Sequence, residues 1–287
     1  MKRCWMCLVI VVPALSVLSA GTAAPDKPFK IPQEWVAAPD NDKSAGEAGY
    51  RILHKNTGMQ LVWVPGGTFK MGDVGLPKTR IKDEEPVHDV ELDGYWIGRT
   101  EVTVAQWWRV MKKVPAHNDR GDDHPVVNVT WNECQEFCRR MRVLLPTEAQ
   151  WEFAARGPKN LRFPWGNKWE ESNSFDRPFG SVDSWTCPVG THPVDRSWCG
   201  AMDMGGNAAE WCADRYAADY YARSPRRNPT GPDGGDRRVV RGWTFQYHRY
   251  PHEARAGGNL CRAAGRDWNY PDDTGGSYGF RVSISGP

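Results

Sequence analysis

Leu145-Pro146-Thr147-Glu148-Ala149-Gln150-Trp151-Glu152-Phe153-Ala154-Ala155-Arg156-Gly157 is the stretch from which the fold is read. Thr147 is placed to cap a helix, because a hydroxyl before the first turn accepts from amides that have no partner of their own. Glu148 then falls in the first turn, where the helix dipole favours an acid, and Gly157 supplies the stop. The short helix is thus marked at both ends.

Working back from it, His124 to Trp131 reads as a strand leading into a cap at Thr130 or Asn132, and the helix that follows is apolar at Cys134, Phe137, Cys138 and Met141. Val104 to Met111 has the spacing of a short amphipathic helix, and Val87 to Val104 looks like strand. Met59 to Val64 is a strand pattern stopped by Pro65-Gly66-Gly67, with Thr68 to Gly72 expected as its hairpin partner. Residues 25–57 are rich in Pro, Asp, Ala and Gly without periodicity and read as a poorly ordered leader, so the folded domain is expected over 58–287.

Residues 1–24 have the layout of a signal peptide: Lys2 and Arg3, an apolar run from Leu8 to Leu18, and a small-residue exit at Thr22-Ala23-Ala24. The run is short for a membrane span, so stable membrane insertion is not expected after cleavage, and a secreted or periplasmic location is. The whole chain carries a formal charge of +2, and losing Lys2 and Arg3 leaves a neutral mature protein. Neutrality gives no electrostatic reason to expect nucleic acid as a partner. Six cysteines remain beyond the signal (Cys134, Cys138, Cys187, Cys199, Cys212 and Cys261), compatible with up to three disulfides in an exported chain. Fifteen Trp, 29 Gly and 22 Pro in 287 residues suggest a loop-rich fold pinned by aromatic side chains.

Asp203-Met-Gly-Gly-Asn-Ala-Ala-Glu-Trp211 has no helix or strand periodicity. Gly205, Gly206 and Asn207 let the chain fold back on itself, which would aim the carboxylates of Asp203 and Glu210 and the carbonyls between them at one point. Such an oxygen shell suits a hard cation such as Ca²⁺, while a capped turn with surface acids is the plainer reading.

Taken in order, Leu145 to Gly157, Phe163-Pro-Trp-Gly-Asn167, Met204-Gly-Gly-Asn-Ala-Ala-Glu-Trp211, Val240-Arg-Gly242 and Gly279-Phe-Arg281 resemble the signatures of the formylglycine-generating enzymes, or sulfatase-modifying factors. Met59 to Gly72 is also similar to their opening. The resemblance implies a single α+β domain of C-type-lectin-like fold, loop-rich with little regular secondary structure, and structural calcium. By that resemblance, Asp203 and Glu210 match side-chain calcium ligands, and Gly206 and Ala208 match positions that give carbonyls. A second calcium site is implied at Asn173 with the Ser174 carbonyl and Asp183 with the Trp185 carbonyl.

The catalytic pattern departs from the family. Its members resemble one another in a Cys-x4-Cys pair that binds copper and activates O₂ to oxidise a substrate cysteine, but here those positions are Tyr247 and His252. Soft thiolates are what Cu(I) prefers, so the exchange is not conservative. Three readings follow. The chain is a pseudoenzyme or binding module presenting the 243–268 surface, with its aromatics Trp243, Phe245, Tyr247, Tyr250 and Trp268, to a protein or glycan. Alternatively, Tyr247, His248, His252 and Glu253 hold iron or copper in a different oxidase centre, although Pro251 argues that the two histidines sit on a loop. Third, it is a divergent formylglycine-generating oxidase. Arg223 to Arg227, Arg237, Arg238 and Arg241 read as solvated faces or as contacts for an anionic glycan. No Gly-x-Ser-x-Gly, phosphate-binding Gly loop or His-Glu-x-x-His occurs, which leaves hydrolase, nucleotide and zinc-protease chemistry without a handle.

Overall fold

The computed structural model describes residues 30–75, 81–168, 186–242 and 261–286. Short strands dominate, as β-branched and aromatic runs broken by Gly and Pro would dictate. An antiparallel five-stranded sheet has the order β1 (Trp35–Ala37), β2 (Arg51–His54), β3 (Gln60–Val64), β6 (Tyr95–Gly98) and β11 (Ser283–Ser285). The first and last described strands therefore form the opposite edges of one sheet. β4 (Gly67–Met71) pairs antiparallel with β5 (His88–Leu92) as a separate ribbon. A four-stranded sheet runs β10 (Tyr278–Gly279), β7 (Ala209–Arg215), β8 (Arg238–Arg241) and β9 (Arg266–Asn269), with β10 parallel to β7.

Among the described residues three α-helices complete the fold: α1 (Val104–Met111), α2 (Trp131–Met141) and α3 (Glu148–Arg156). Each opens with a threonine whose hydroxyl accepts from the third helical amide while the third side chain returns the bond, at Thr103, Thr130 and Thr147. The rings of Trp107 and Phe137 stack nearly parallel with their centroids 5.5 Å apart, and Phe280 meets both edge-on, which ties α1 and α2 to the C-terminal segment. A second core gathers around α3, the β4–β5 ribbon and the inner residues of β7 and β8.

Four expectations change. The supposed leader contributes β1 and β2, and Trp35, Tyr50 and Ile52 are buried with the core, so the folded unit begins well before Gly58. β4 is not the hairpin partner of β3. Gly66 approaches the Leu92 carbonyl and the Gly94 amide too closely to carry a Cβ, and there the chain passes from one sheet to the other. The stretch 124–131 is not a strand, being tied to Thr103 by a single bridge at Pro125. No disulfide joins the described cysteines. Cys134, Cys138, Cys199 and Cys212 are instead buried thiols, each a small apolar core residue.

Candidate functional site

On α3, residues 148, 152 and 156 share one face, with Trp151 beside them, because positions three and four apart lie together on a helix. That face points inward and is charged: Glu148, Glu152 and Arg156 are all buried. Glu152 Oε1 accepts from the Gly72 amide at 2.9 Å and from Arg156 at 2.7 Å, while its other oxygen takes Arg241. Glu148 receives Arg266 through Nε at 2.7 Å and Nη2 at 3.0 Å. Arg262 forks onto both oxygens of Glu84 at 2.6 and 2.7 Å, and lies 3.2 Å from Asp73. Arg241, Arg262 and Arg266 flank residues 243–260, so this paired network borders the segment in which Tyr247, His248 and His252 occur. Those three lie outside the described residues.

Asp214 sits beneath Glu148 and accepts from its amide at 2.8 Å. Burial, then the neighbouring Glu148 charge, push its carboxyl up to about 8. Burial likewise raises the thiols of Cys134, Cys138, Cys199 and Cys212, which keeps them protonated and unreactive.

The loop from Asp203 leads straight into β7, so Glu210 and Trp211 belong to the strand rather than to the loop. Its reversal rests on positive φ at Asp203 (60°) and Asn207 (72°). Asn207 holds the Cys187 amide at 2.9 Å and donates to the same residue's carbonyl. Gly205 is needed for space instead, since a Cβ there would come within 2.6 Å of the Trp165 ring. Both Glu210 oxygens are taken: Arg281 reaches each at 2.6 Å, and Trp151 Nε1 donates to Oε2 at 2.8 Å. The family signatures thus converge, with Trp165 on Gly205, Trp151 between Glu210 and Gly242, and Arg281 on Glu210.

Around Arg281 stand four buried carboxylates, Glu101, Asp195, Asp203 and Glu210. Asp203 Oδ2 accepts from the Gly190 amide at 2.6 Å and Asp195 Oδ2 from the Gly205 amide at 2.8 Å. Asp203 Oδ1, Asp195 Oδ1 and Glu101 Oε2 are buried with no hydrogen-bond partner. Burial first, and then neighbouring carboxylates, push Asp195 up to about 8 and Glu101 well above the usual carboxylate range; Asp203 is raised mainly by burial. A single guanidinium does not balance four acids, so the cluster must take up protons or a cation.

For calcium the fit is therefore divided. Asp203 and Glu101 each keep one buried oxygen without a hydrogen-bond partner, whereas Glu210 is already engaged. Among the described residues no three His, Cys, Asp or Glu side chains are grouped as a metal site. Asn173, Ser174, Asp183 and Trp185 lie outside the described residues. Glu101, Asp195 and Arg281 were not among the expected site residues. They stand far from the loop or carry no ligand spacing, and only the fold brings them together.

The Sulfatase-modifying factor enzyme 1-like domain matches residues 50–285. The chain belongs to the sulfatase-modifying factor family. This family member is 30% identical over 311 aligned residues to the formylglycine-generating enzyme of Streptomyces coelicolor, covering 86% of this chain and 96% of that one. Among solved structures it is similar to PvdO from Pseudomonas aeruginosa, with a TM-score of 0.69 at 23% identity over 83% of this chain and 98% of that one. It is also similar to Treponema denticola variable protein 1, with a TM-score of 0.65 at 22% identity over 83% and 97% of the two chains. These last two likenesses speak for the fold alone, and they agree with the loop-rich α+β architecture.

The anionic-glycan reading of the arginine clusters meets a different arrangement. Arg223 and Arg227 pair with surface acids, and Arg241 is buried against Glu152. Arg237 and Arg238 place their guanidinium carbons over Trp268 and Trp131, 3.6 and 3.7 Å from the ring centres.

Proposed function

We propose that this chain keeps the sulfatase-modifying factor scaffold without its copper-thiolate chemistry and works as an exported, calcium-stabilised binding module. The observation that carries the reading is that Tyr247 and His252 stand where the family resemblance places its cysteine pair. The deeply buried thiols offer no substitute, because burial holds each of them protonated. Calcium is supported by the loop's unpartnered Asp203 oxygen and by the excess of buried acid around Arg281; when bound, it would supply charge neutralisation and fix the loop.

The surface offered to a partner is the 243–268 region, which Arg241 precedes in the sequence and in which the paired Arg262 and Arg266 lie. At its described edge, Trp268 is half-buried and Tyr270 is 45% exposed, a polar-tipped aromatic pair suited to a glycan face or a peptide. The signal-like N-terminus supports a secreted or periplasmic location.

The test is a peptide carrying Cys-x-Pro-x-Arg, incubated with the protein, copper and O₂ and read by mass spectrometry. No cysteine-to-formylglycine conversion is expected, and a Tyr247→Cys/His252→Cys variant on the same scaffold should gain Cu(I) binding. Conversion by the natural sequence would overturn the reading.

A further inference from the structure

Among the described residues most arginines engage carboxylates, carbonyls or aromatic rings, whereas Arg99 and Arg196 line one cavity together. We propose that Arg99 and Arg196 bind the oxyanion head of a small ligand in a pocket on the β2–β3 side of the five-stranded sheet, which Arg51 and Val62 also line. A half-open cavity of about 330 Å³ lies among Asp40, Asp42, Arg51, Val62, Arg99 and Arg196. Arg51 is neutralised there by Asp40, with Nη1 to Oδ2 at 2.9 Å. Among the described residues neither Arg99 nor Arg196 has a carboxylate within ion-pair reach. Arg99 makes one long side-chain bond, 3.5 Å to Gln60 Oε1.

The three guanidinium groups do not gather there by accident of a mobile loop. The Arg99 amide donates to the Gln60 carbonyl at 2.9 Å, and its own carbonyl accepts from Met202 at 2.7 Å. Met202 and Arg196 close a small antiparallel turn, in which Ser197 donates to Ala201 at 2.8 Å. Gly49 (φ +84°) lets the N-terminal segment pass the Cys199 carbonyl, which a Cβ would meet at 3.2 Å. Gly200 (φ +81°) leaves the flank of the Arg196 guanidinium open, 3.8 Å from where a Cβ would stand. Burial, then the Arg51 and Arg196 charges, lower the pKa of Arg99, an effect that the Asp40 and Asp203 carboxylates offset only in part.

Guanidinium forks match carboxylate, phosphate and sulfate oxygens in pairs, which sets the ligand class. The cavity reaches the size of small-molecule sites and exceeds a bare ion, so the oxyanion is the head of a larger molecule. The Asp42 carboxylate on the lining favours a hydroxyl or ammonium donor elsewhere on that molecule.

The experiment is titration calorimetry of the full mature protein with inorganic phosphate, sulfate, acetate and glycerol 3-phosphate, at ionic strength held constant with chloride. One saturable site is expected, weakened about tenfold or more in Arg196→Gln and in Arg99→Gln, as for loss of a charge-assisted pair. Arg223→Gln, a surface arginine paired with Asp219, serves as the control and should bind as the parent does. Glycerol 3-phosphate binding more tightly than inorganic phosphate supports a ligand larger than the ion, and equal affinity overturns that part. Arg196 is exposed, so its replacement leaves the fold intact, and unchanged affinity in Arg196→Gln, or no saturable binding of any anion, overturns the proposal.

Discussion

A methyl group at Gly205 would meet the Trp165 ring at 2.6 Å and Asp195 Oδ2 at 3.2 Å, so the Pro-Trp-Gly stretch and the acidic loop are fitted to each other atom by atom. Gly205→Ala should therefore cost about 1–3 kcal/mol by overpacking, read as a lower urea midpoint with unchanged m-value. Glu210→Ala is expected to cost more, about 3–5 kcal/mol, because it breaks the buried two-pronged pair with the Arg281 guanidinium. A Glu210→Ala protein as stable as the parent would show that the Arg281 pair is not the anchor described here. Asp214 makes a pH prediction. Its folded pKa of about 8 lies above the ordinary 3.8, so its stability contribution is complete below about pH 4 and is lost as pH rises towards 8. Asp214→Asn keeps an acceptor for the Glu148 amide and should flatten that loss between pH 5 and pH 8 (roughly, by linkage), as followed by denaturation midpoints. At this scale the sequence was readable where a residue's local role is its function: Thr147 caps α3 and Gly157 ends it. It was silent on Glu101, Asp195 and Arg281, whose meaning comes from partners as far off as the 71 positions between Glu210 and Arg281.

Helices α1, α2 and α3 were legible because each has a threonine cap and a run long enough for a 3.6-residue period to show. The strands β1 and β2 were not, since three and four residues in a Pro- and Asp-rich setting carry too little alternation to be noticed. Their role is nonetheless structural. β2 covers the edge of β3, and Trp35, Tyr50 and Ile52 join the core. A chain beginning at Gly58 would lose burial worth about 1.5–3 kcal/mol for each such side chain, comparable in sum with a domain's whole stability. It should be recovered as aggregate or as a species lacking a cooperative melt; a soluble, sharply melting product would contradict the placement of these strands. The hairpin misreading at Pro65-Gly66-Gly67 has a similar origin. The turn signal was genuine, but Gly66 uses its missing Cβ to pass the backbone of residues 92–94, so that β4 pairs with β5.

On the scale of the molecule, the family signatures are scattered in sequence and adjacent in space because they build one buried charged centre. The inner face of α3 links the two halves, with Glu148 and Glu152 holding the arginines beside the 243–260 segment and Trp151 reaching Glu210. This network is made by residues outside 243–260, so on the proposed reading the scaffold persists with Tyr247 and His252 at the positions of the family's cysteine pair. Calcium at the Asp203 loop should add to this persistence by mass action, so stripping it with chelator is predicted to lower the melting temperature by several degrees, restored by added calcium. The most direct test of the central claim is plasma mass spectrometry of mature protein purified without chelator, beside a Tyr247→Phe/His252→Ala variant. Calcium without iron or copper, equal in both proteins, is the result predicted here; near-stoichiometric iron or copper that vanishes in the variant would contradict it.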